Sequence, residues 1–169
     1  DSGNQLLEIH QGSIAGPLTA GLVYDNNGNL VKKCEGGTVT VNSTDCTGST
    51  VTSLTHDFLN RPVQIAKTGI ATQTYKYDNS GRRIQKVNGS TATNYLYNGS
   101  QILDQYDDTW SQPTFNYVYG PGADAPTIRA SSTTTQFYHQ NGIGNVVAVT
   151  NQSGATDGTA AYDAYGNLT

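Results

Sequence analysis

Apolar and polar side chains alternate along most of the chain, in short runs that end at glycine- or asparagine-rich turns. This period of two is the spacing that places side chains on one face of a β-strand. No ten-residue window has the apolar spacing of an amphipathic helix. The pattern therefore predicts an all-β fold with roughly fourteen strands. The clearest examples are the tyrosine pairs Tyr75/Tyr77, Tyr95/Tyr97 and Tyr117/Tyr119.

A Tyr-Asp-x-x-Gly motif recurs where these runs end. Asp can accept hydrogen bonds from the backbone two residues later, and Gly supplies the positive φ that closes a tight turn. Each copy therefore predicts the turn of a β-hairpin, with apolar alternation resuming afterwards. The three clear copies are Tyr24, Asp25 and Gly28; Tyr77, Asp78 and Gly81, with Arg82 in a basic position; and Tyr162, Asp163 and Gly166.

Degenerate copies fill the intervals between the clear ones. In the first of them, His56 and Asp57 are followed by Asn60, which shares the tolerance of Gly for positive φ. Anchors at positions 24, 56, 77, 97, 119, 138 and 162 are separated by 32, 21, 20, 22, 19 and 24 residues. The repeat is thus about 20 residues long, or two strands. The other copies are Tyr97 with Gly99, Tyr119 with Gly120, and Tyr138 with Gly142 and Gly144.

This repeat resembles the YD repeat of Rhs (rearrangement hotspot) proteins, found also in the C components of bacterial Tc toxins, in wall-associated proteins and in animal teneurins. The segment from Phe137 to Thr150, followed by Tyr162 and Asp163, is similar to the start of the Rhs-associated core region. The resemblance implies a sheet of consecutive antiparallel β-hairpins that spirals into a hollow cocoon around a C-terminal toxin or effector.

Three regions follow from the repeat and from this resemblance. Residues 1–21 form an N-terminal segment with the first strand, residues 22–136 form the YD-repeat hairpins, and residues 137–169 form the core-like segment. The long first interval contains Cys34 and Cys46, so the stretch between them is interpreted as an insertion into the repeat. These cysteines form a disulfide in an oxidising compartment or remain two reduced thiols.

Composition agrees with a thin wall and disfavours several other classes. Only 35% of the residues are hydrophobic and 13% are charged, with a net charge of −4. A wall that faces solvent or a polar lumen on both sides needs less apolar surface than a solid sandwich. The low Lys and Arg content argues against nucleic acid as a partner, and no apolar run reaches the ~18–20 residues of a membrane span. A polar chain with few cysteines favours a secreted or cell-surface location.

Catalytic chemistry has little support in the sequence. The family's self-cleaving aspartate lies downstream in an Asp-Pro-x-Gly stretch, and this sequence contains no Asp-Pro. His10, His56 and His139 are dispersed and have no nucleophile motif nearby. Asp107 and Asp108 are adjacent, so in a strand they point to opposite faces and cannot flank one glycosidic bond. We therefore expect no catalytic residue and no enzymatic activity.

Metal and cofactor motifs are equally incomplete. Asp25, Asn27 and Asn29 alternate as calcium ligands do, but Leu30 stands where an EF-hand loop needs Gly. The Gly142–Gly144 step lacks the third glycine and the helix of a dinucleotide site. No metal or cofactor is expected.

The favoured interpretation is a non-catalytic section of an Rhs/YD-repeat shell that encapsulates and helps deliver a C-terminal toxin. Its partners would be the rest of the shell and that toxin, since an isolated sheet would leave unpaired edges. Two alternatives remain: an extracellular adhesion or glycan-binding module, and a β fibre assembled from copies of the chain. The pattern does not distinguish a luminal from an outer face. The following basic residues either pair with acids of the sheet or bind an anionic glycan or cargo: Arg61, Lys67, Lys76, Arg82, Arg83 and Lys86.

Overall fold

The computed structural model describes residues 5–121, 125–163 and 166–168, and these contain strands and turns but no helix. Strong alternation and the glycine-rich turns explain why every regular element is a strand. The strands are β1 (Glu8–His10), β2 (Leu18–Tyr24), β3 (Leu30–Glu35), β4 (Thr40–Val41), β5 (Cys46–Thr47), β6 (Thr50–His56), β7 (Pro62–Lys67), β8 (Ile70–Tyr77), β9 (Arg83–Asn88), β10 (Thr91–Asn98), β11 (Gln101–Tyr106), β12 (Pro113–Tyr119), β13 (Pro126–Ala130), β14 (Thr135–Gln140), β15 (Val146–Asn151) and β16 (Thr156–Thr159).

The chain divides into two compact units. The first comprises Asp1–Tyr77 and Lys86–Thr91, and the second comprises Asp78–Gln85 and Ala92–Thr169. In the first unit β1, β2, β3, β6, β7 and β8 lie side by side in that order, and each neighbouring pair is antiparallel. In the second unit β10 to β16 pair in chain order in the same way. The predicted all-β class of consecutive antiparallel hairpins is confirmed.

The buried apolar side chains of the first unit lie on β2, on β3 and in the insertion that packs against them. Its strands β4 and β5 form a separate two-stranded sheet. A disulfide joins Cys34 to Cys46, with their Cα atoms 5.9 Å apart. Cys34 is 0% and Cys46 2% exposed, and both pack with Val23 in one cluster. We call this cluster, with its neighbours Val31, Val41 and Val51, the disulfide core.

Gly21 on β2 shows how closely the insertion packs on the sheet. A Cβ atom at this position would lie 2.7 Å from Cβ of Val41 and 3.3 Å from Cβ of Cys46. Only glycine leaves room for that approach.

The second unit has a much thinner interior. Among its described residues, only Ala92 and Asn94 are buried. Along β12, half-buried Phe115, Tyr117 and Tyr119 alternate with exposed residues. We call the side of the second unit that carries these three rings the aromatic face. The sheet is therefore stabilised mainly by backbone pairing and by large side chains that cover one another on one face.

Candidate functional site

The most regular feature of the structure is a five-residue turn, of which the described part of the chain shows six copies. The N–H of its first residue donates to the carbonyl of the fifth, and the N–H of the fourth donates to the carbonyl of the first. The side-chain oxygen of the first residue accepts the N–H of the fifth. The fourth residue has a positive φ of 60–87° in every copy. The turns begin at Asp25, Asp57, Asp78, Asn141, Asn151 and Asp163, and their fourth residues are Gly28, Asn60, Gly81, Gly144, Gly154 and Gly166.

This geometry explains the residue types of the motif. An Asp or Asn oxygen reaches the two backbone N–H groups that face it, and a positive φ at the fourth position needs Gly or Asn. Asn60 adopts φ 60°, as the sequence suggested. In the last copy, Asp163 and Gly166 form the turn, and positions 164 and 165 lie outside the described residues.

Two copies differ from the sequence interpretation. The turn after Tyr138 begins at Asn141 and places its positive φ at Gly144, while Gly142 has no unusual backbone conformation. The turn at Asn151–Ala155 was missed because no aromatic residue directly precedes it. Its signal was the Asn-x-x-Gly spacing alone.

The remaining anchors precede other connections. Tyr97 and Asn98 lead into a two-residue turn, because Asn98 pairs with Gln101 and Gly99 has φ 59°. Tyr119 ends β12, and the N–H of Gly120 donates to the carbonyl of Ala125 at 2.9 Å. Residues 122–124 of that connection lie outside the described part of the chain.

The tyrosines of the motif tie neighbouring strands together. The Tyr77 hydroxyl donates to the carbonyl of Pro62 at 2.8 Å, and the Tyr97 hydroxyl donates to the carbonyl of Arg83 at 2.9 Å. Both carbonyls belong to the first residue of a strand that starts directly after a five-residue turn. The same bond joins Tyr162 to the carbonyl of Val146 at 3.1 Å, and the Tyr24 hydroxyl donates to the carbonyl of Leu6, which precedes β1, also at 3.1 Å.

In two copies an arginine completes this arrangement. Arg61 pairs with Asp57 of its own turn at 2.7 Å, and its guanidinium lies 4.6 Å from the ring centre of Tyr77. Arg82 pairs with Asp78 at 2.7 Å and lies 5.0 Å from the ring centre of Tyr97. We call each set of acid, arginine and following tyrosine a clamp.

The clamps answer the question left open for the basic residues. For Arg61 and Arg82 the pairing with acids of the sheet is confirmed. Lys67 and Lys76 are exposed, and Arg83 lies 5.6 Å from the ring centre of Tyr95.

The pKa values of three turn acids, Asp25, Asp57 and Asp78, are lowered, which favours their charged form. Hydrogen bonds from Arg61 hold the pKa of Asp57 below its usual value. Burial alone would raise the pKa of Asp78, but hydrogen bonds from Arg82 and Ser80 outweigh it and the pKa is lowered. Hydrogen bonds from the side chain and backbone of Asn29 likewise lower the pKa of Asp25. These carboxylates therefore act as fixed acceptors within the turns.

Two of the three histidines, His10 and His139, have structural partners. The ring nitrogens of His10 lie 2.8 Å from the Gly16 carbonyl and 3.0 Å from Glu8, whereas His139 contacts the Thr150 hydroxyl at 2.9 Å. His56 stands in the tyrosine position of its copy, and its buried Nδ1 has no hydrogen-bond partner among the described residues.

Two of the three acidic candidates, Asp107 and Asp25, are engaged in turns. Asp107 accepts hydrogen bonds from the backbone and hydroxyl of Thr109. Asp25 accepts hydrogen bonds from the backbone N–H groups of Asn27 and Asn29, the residues of the calcium-like pattern. Within the described ranges, no group of three His, Cys, Asp or Glu side chains could hold a metal. Those ranges also contain no helix that is long and apolar enough to cross a membrane.

One open polar cavity of about 360 Å³ lies in the second unit. At its side, Asp157 accepts hydrogen bonds from the side-chain amides of Gln136 and Asn151, both at 3.1 Å. The cavity presents hydroxyl, amide and carboxylate groups. Its lining comprises Thr133, Thr134, Thr135, Gln136, Asn151, Gln152, Ser153 and Asp157.

The chain is similar in sequence to curated bacterial proteins. No protein-family model matches the chain. It is 32% identical over 167 residues to a tRNA3(Ser)-specific nuclease WapA of Bacillus spizizenii, and 31% identical to the tRNA nuclease WapA of Bacillus subtilis. Both alignments cover 98% of this chain but only 6% of the relative. The chain thus spans a small part of the length of the curated relatives it matches.

A solved structure has the same fold at low sequence identity. A crystal structure described as TcdB2-TccC3-Cdc42 matches 99% of this chain and 10% of its own chain, with a TM-score of 0.54 and 13% identity.

Proposed function

Because the chain belongs to the Rhs/YD-repeat family, we propose that it is a non-catalytic section of a β-sheet shell. That shell would enclose a C-terminal toxin or effector of a longer polypeptide and help to deliver it. The partners of the chain would be the neighbouring parts of the wall and the enclosed domain.

The repeated turn, with its cross-strand tyrosine bond, is the observation that carries this proposal. A hydrogen bond contributes about 0.5–1.5 kcal/mol net, and an exposed cation–π contact about 0.5–1 kcal/mol. Each is small, but they recur with the repeat and need no second layer of structure. Such a sheet can be extended hairpin by hairpin, which is what a wall around a chamber requires.

The described titratable side chains favour a structural role. The turn acids are acceptors for backbone N–H groups, and Arg61 and Arg82 are paired with them. The relatives are named nucleases, and under this proposal their activity resides in a part of the polypeptide that this chain does not match. The chain would then hold and protect a toxic domain rather than act on RNA.

The disulfide favours a secreted or cell-surface location. Cys34 and Cys46 are joined in the most buried cluster of the first unit. Such bonds persist in oxidising compartments and are rare in the cytosol. We therefore propose that the folded chain lies outside the cytoplasm of the producing cell.

Limited proteolysis of the full-length native polypeptide tests the shell function. We expect the domain downstream of this chain to survive protease treatment while the wall is intact. A variant with Arg61→Ala and Arg82→Ala loses two clamps and should expose that domain faster than a control with Lys67→Ala and Lys76→Ala, which changes two exposed lysines. A downstream domain cleaved as fast in the native polypeptide as in isolation would contradict the proposal.

A second candidate function, glycan binding, is favoured by the polar cavity around Asp157. Its hydroxyl, amide and carboxylate groups are the types that hydrogen-bond sugar hydroxyls. The test is a glycan-array screen of the chain, followed by the same screen with Asp157→Ala. Binding that the substitution abolishes supports this candidate, and the absence of any binder at millimolar concentration rejects it.

A further inference from the structure

Arg129 contacts an aromatic ring as the clamp arginines do, but it lacks their pairing with an acid among the described residues. It is the only basic residue after Lys86 in the sequence. Its guanidinium lies 3.7 Å from the ring centre of Phe115, closer than Arg61 and Arg82 lie to their tyrosines. Those two arginines each pair with an aspartate four residues earlier. Four residues before Arg129 stands Ala125, and among the described residues Arg129 has no ion pair.

Within residues 5–121, 125–163 and 166–168, no acid compensates the charge of Arg129. Its Nε–H is buried and has no acceptor in the described structure. Asp157, an acid on β16 of the same unit, already accepts the amides of Gln136 and Asn151 with its two oxygens. Gln136 is the direct cross-strand neighbour of Arg129. An Arg side chain that is partly enclosed and lacks a counter-charge is costly for the fold.

Tyr117, the cross-strand neighbour of Arg129 on the other side, can donate a hydrogen bond to a bound anion. Tyr117 is the direct cross-strand partner of Arg129 on β12. Its hydroxyl oxygen accepts a hydrogen bond from Gln105 at 2.8 Å. The hydroxyl hydrogen of Tyr117 therefore remains free to point at an acceptor bound beside the guanidinium.

We infer that Arg129, with Tyr117 and Phe115, forms a carboxylate-binding site on the aromatic face of the second unit, and that an acidic polypeptide segment supplies the carboxylate. The guanidinium offers a planar fork that matches a carboxylate, and Phe115 fixes its plane. The site is an incomplete clamp whose acid comes from another segment. It does not depend on the proposed shell function, since it follows from the contacts of Arg129 alone.

A polypeptide fits this site better than a free small anion does. Arg129 lies on a sheet face beside rings, where an isolated anion would gain one charged contact and remain largely hydrated. A chain crossing the face would add burial against Phe115 and Tyr117 to the charged contact, as interface anchors do. The second unit is acidic overall and its only Lys or Arg residues are Arg82, Arg83 and Arg129, so these few cations limit where an acidic segment can attach.

The test follows the side-chain Nε–H signal of Arg129 by NMR in the full chain. It is titrated with a short capped glutamate-rich peptide, with the glutamine counterpart of that peptide, and with sodium acetate, all at constant ionic strength. We expect saturable movement with the glutamate peptide and none with the glutamine peptide. Arg61 and Arg82 should not respond, because each already has its acid. Arg129→Gln should weaken peptide binding about tenfold or more, and Arg129→Lys should lose most of it because the fork is lost.

Three results would overturn the inference. One is the absence of a saturable shift of Arg129 with the glutamate peptide. Another is an equal response to acetate and peptide at the same carboxylate concentration, which would mean that the site takes any free carboxylate and that no polypeptide is needed. The third involves Asp124, which lies outside the described residues. If Asp124→Asn moves the Arg129 signal without peptide, the chain supplies its own acid.

Discussion

The disulfide core of the first unit and the sheet of the second unit are stabilised in different ways. Around Cys34 and Cys46, a two-stranded insertion packs on β2 and β3 and encloses apolar side chains. From β10 to β16, the described residues bury only Ala92 and Asn94, and turns and ring contacts recur instead. One sequence therefore contains both a small conventional core and a nearly coreless sheet.

The contrast shows that the repeat distributes stability over the sheet, whereas the insertion concentrates it at one place. A hairpin with its turn and its tyrosine bond stabilises its neighbours locally, so its contribution is distributed over the sheet. The insertion concentrates stability at one place through burial and a covalent link. Substitutions in the disulfide core should therefore have large effects confined to its neighbourhood, whereas substitutions in the clamps should have small effects wherever they occur.

The largest effect is expected from removing the disulfide. Replacing both cysteines, Cys34→Ala with Cys46→Ala, should lower the free energy of unfolding by about 2–5 kcal/mol. Hydrogen exchange should show the loss of protection in β2, β3 and β6, whose residues surround the bond. Loss of protection spread equally over β12 to β15 would contradict the contrast between the two regions.

Asn94 tests whether the second unit depends on the one polar side chain that is buried among its described residues. It is 2% exposed, accepts a hydrogen bond from Gln85 at 2.7 Å and donates to the Asp107 carbonyl at 2.8 Å. Asn94→Ala leaves both partners unsatisfied and should cost about 1–3 kcal/mol in chemical denaturation. Asn98→Ala, on the same strand but exposed, should have little effect. Equal losses for the two variants would refute the assignment.

The tyrosine bond should have a smaller effect. Tyr77→Phe removes the hydroxyl that donates to the Pro62 carbonyl and keeps the ring over Arg61, so we expect a loss of about 0.5–1.5 kcal/mol. The matched control is Tyr75→Phe, because the Tyr75 hydroxyl donates to Gln73 within its own strand. Thermal unfolding of both variants measures the loss of stability in each. Equal losses for Tyr75→Phe and Tyr77→Phe would show that the cross-strand bond has no special role.

The smallest effect concerns pH. Asp78 has a lowered pKa in the folded chain. Its contribution to the free energy of unfolding is therefore fully present above its pKa in the unfolded chain, about 3.9, and is lost as the pH falls through its lower pKa in the folded chain. Asp78→Asn should preserve the turn, since Asn141 and Asn151 form the same turn here. The variant should be less stable than the native chain at pH 7, and this difference should shrink at pH 3.

Urea denaturation at both pH values measures that difference. Asp108→Asn, at an exposed loop position outside the clamps, provides the control. A gap between Asp78→Asn and the native chain that stays constant from pH 7 to pH 3 would show that the charge of Asp78 is not the source of its contribution.

Sequence reasoning identified the hairpin repeat because the turn is encoded locally. Asp25 and Gly28 are needed by the backbone of their own turn, so their spacing is visible without knowledge of the fold. The turn at Asn151 lacks a preceding aromatic residue and was therefore missed. Whether Gly142 or Gly144 has the positive φ depends on which residue begins the turn. The position of Tyr138 in the sequence did not show that the turn begins at Asn141.

Contacts between strands could not be predicted in the same way. The stacking of Arg61 on Tyr77 joins residues of different turns and depends on the pairing of β7 with β8. The packing of Val41 on Gly21 depends on how the insertion folds back onto the sheet. Composition suggested a thin wall, but it contained no signal for a local core around the cysteines.

The most direct test of the proposed shell is a cryo-electron microscopy map of the full-length native polypeptide that contains this chain. The account predicts that these hairpins lie in the wall of a hollow chamber, with density for the downstream domain inside it. A map in which the segment forms part of a solid domain, or in which the downstream domain lies outside in solvent, would contradict the account.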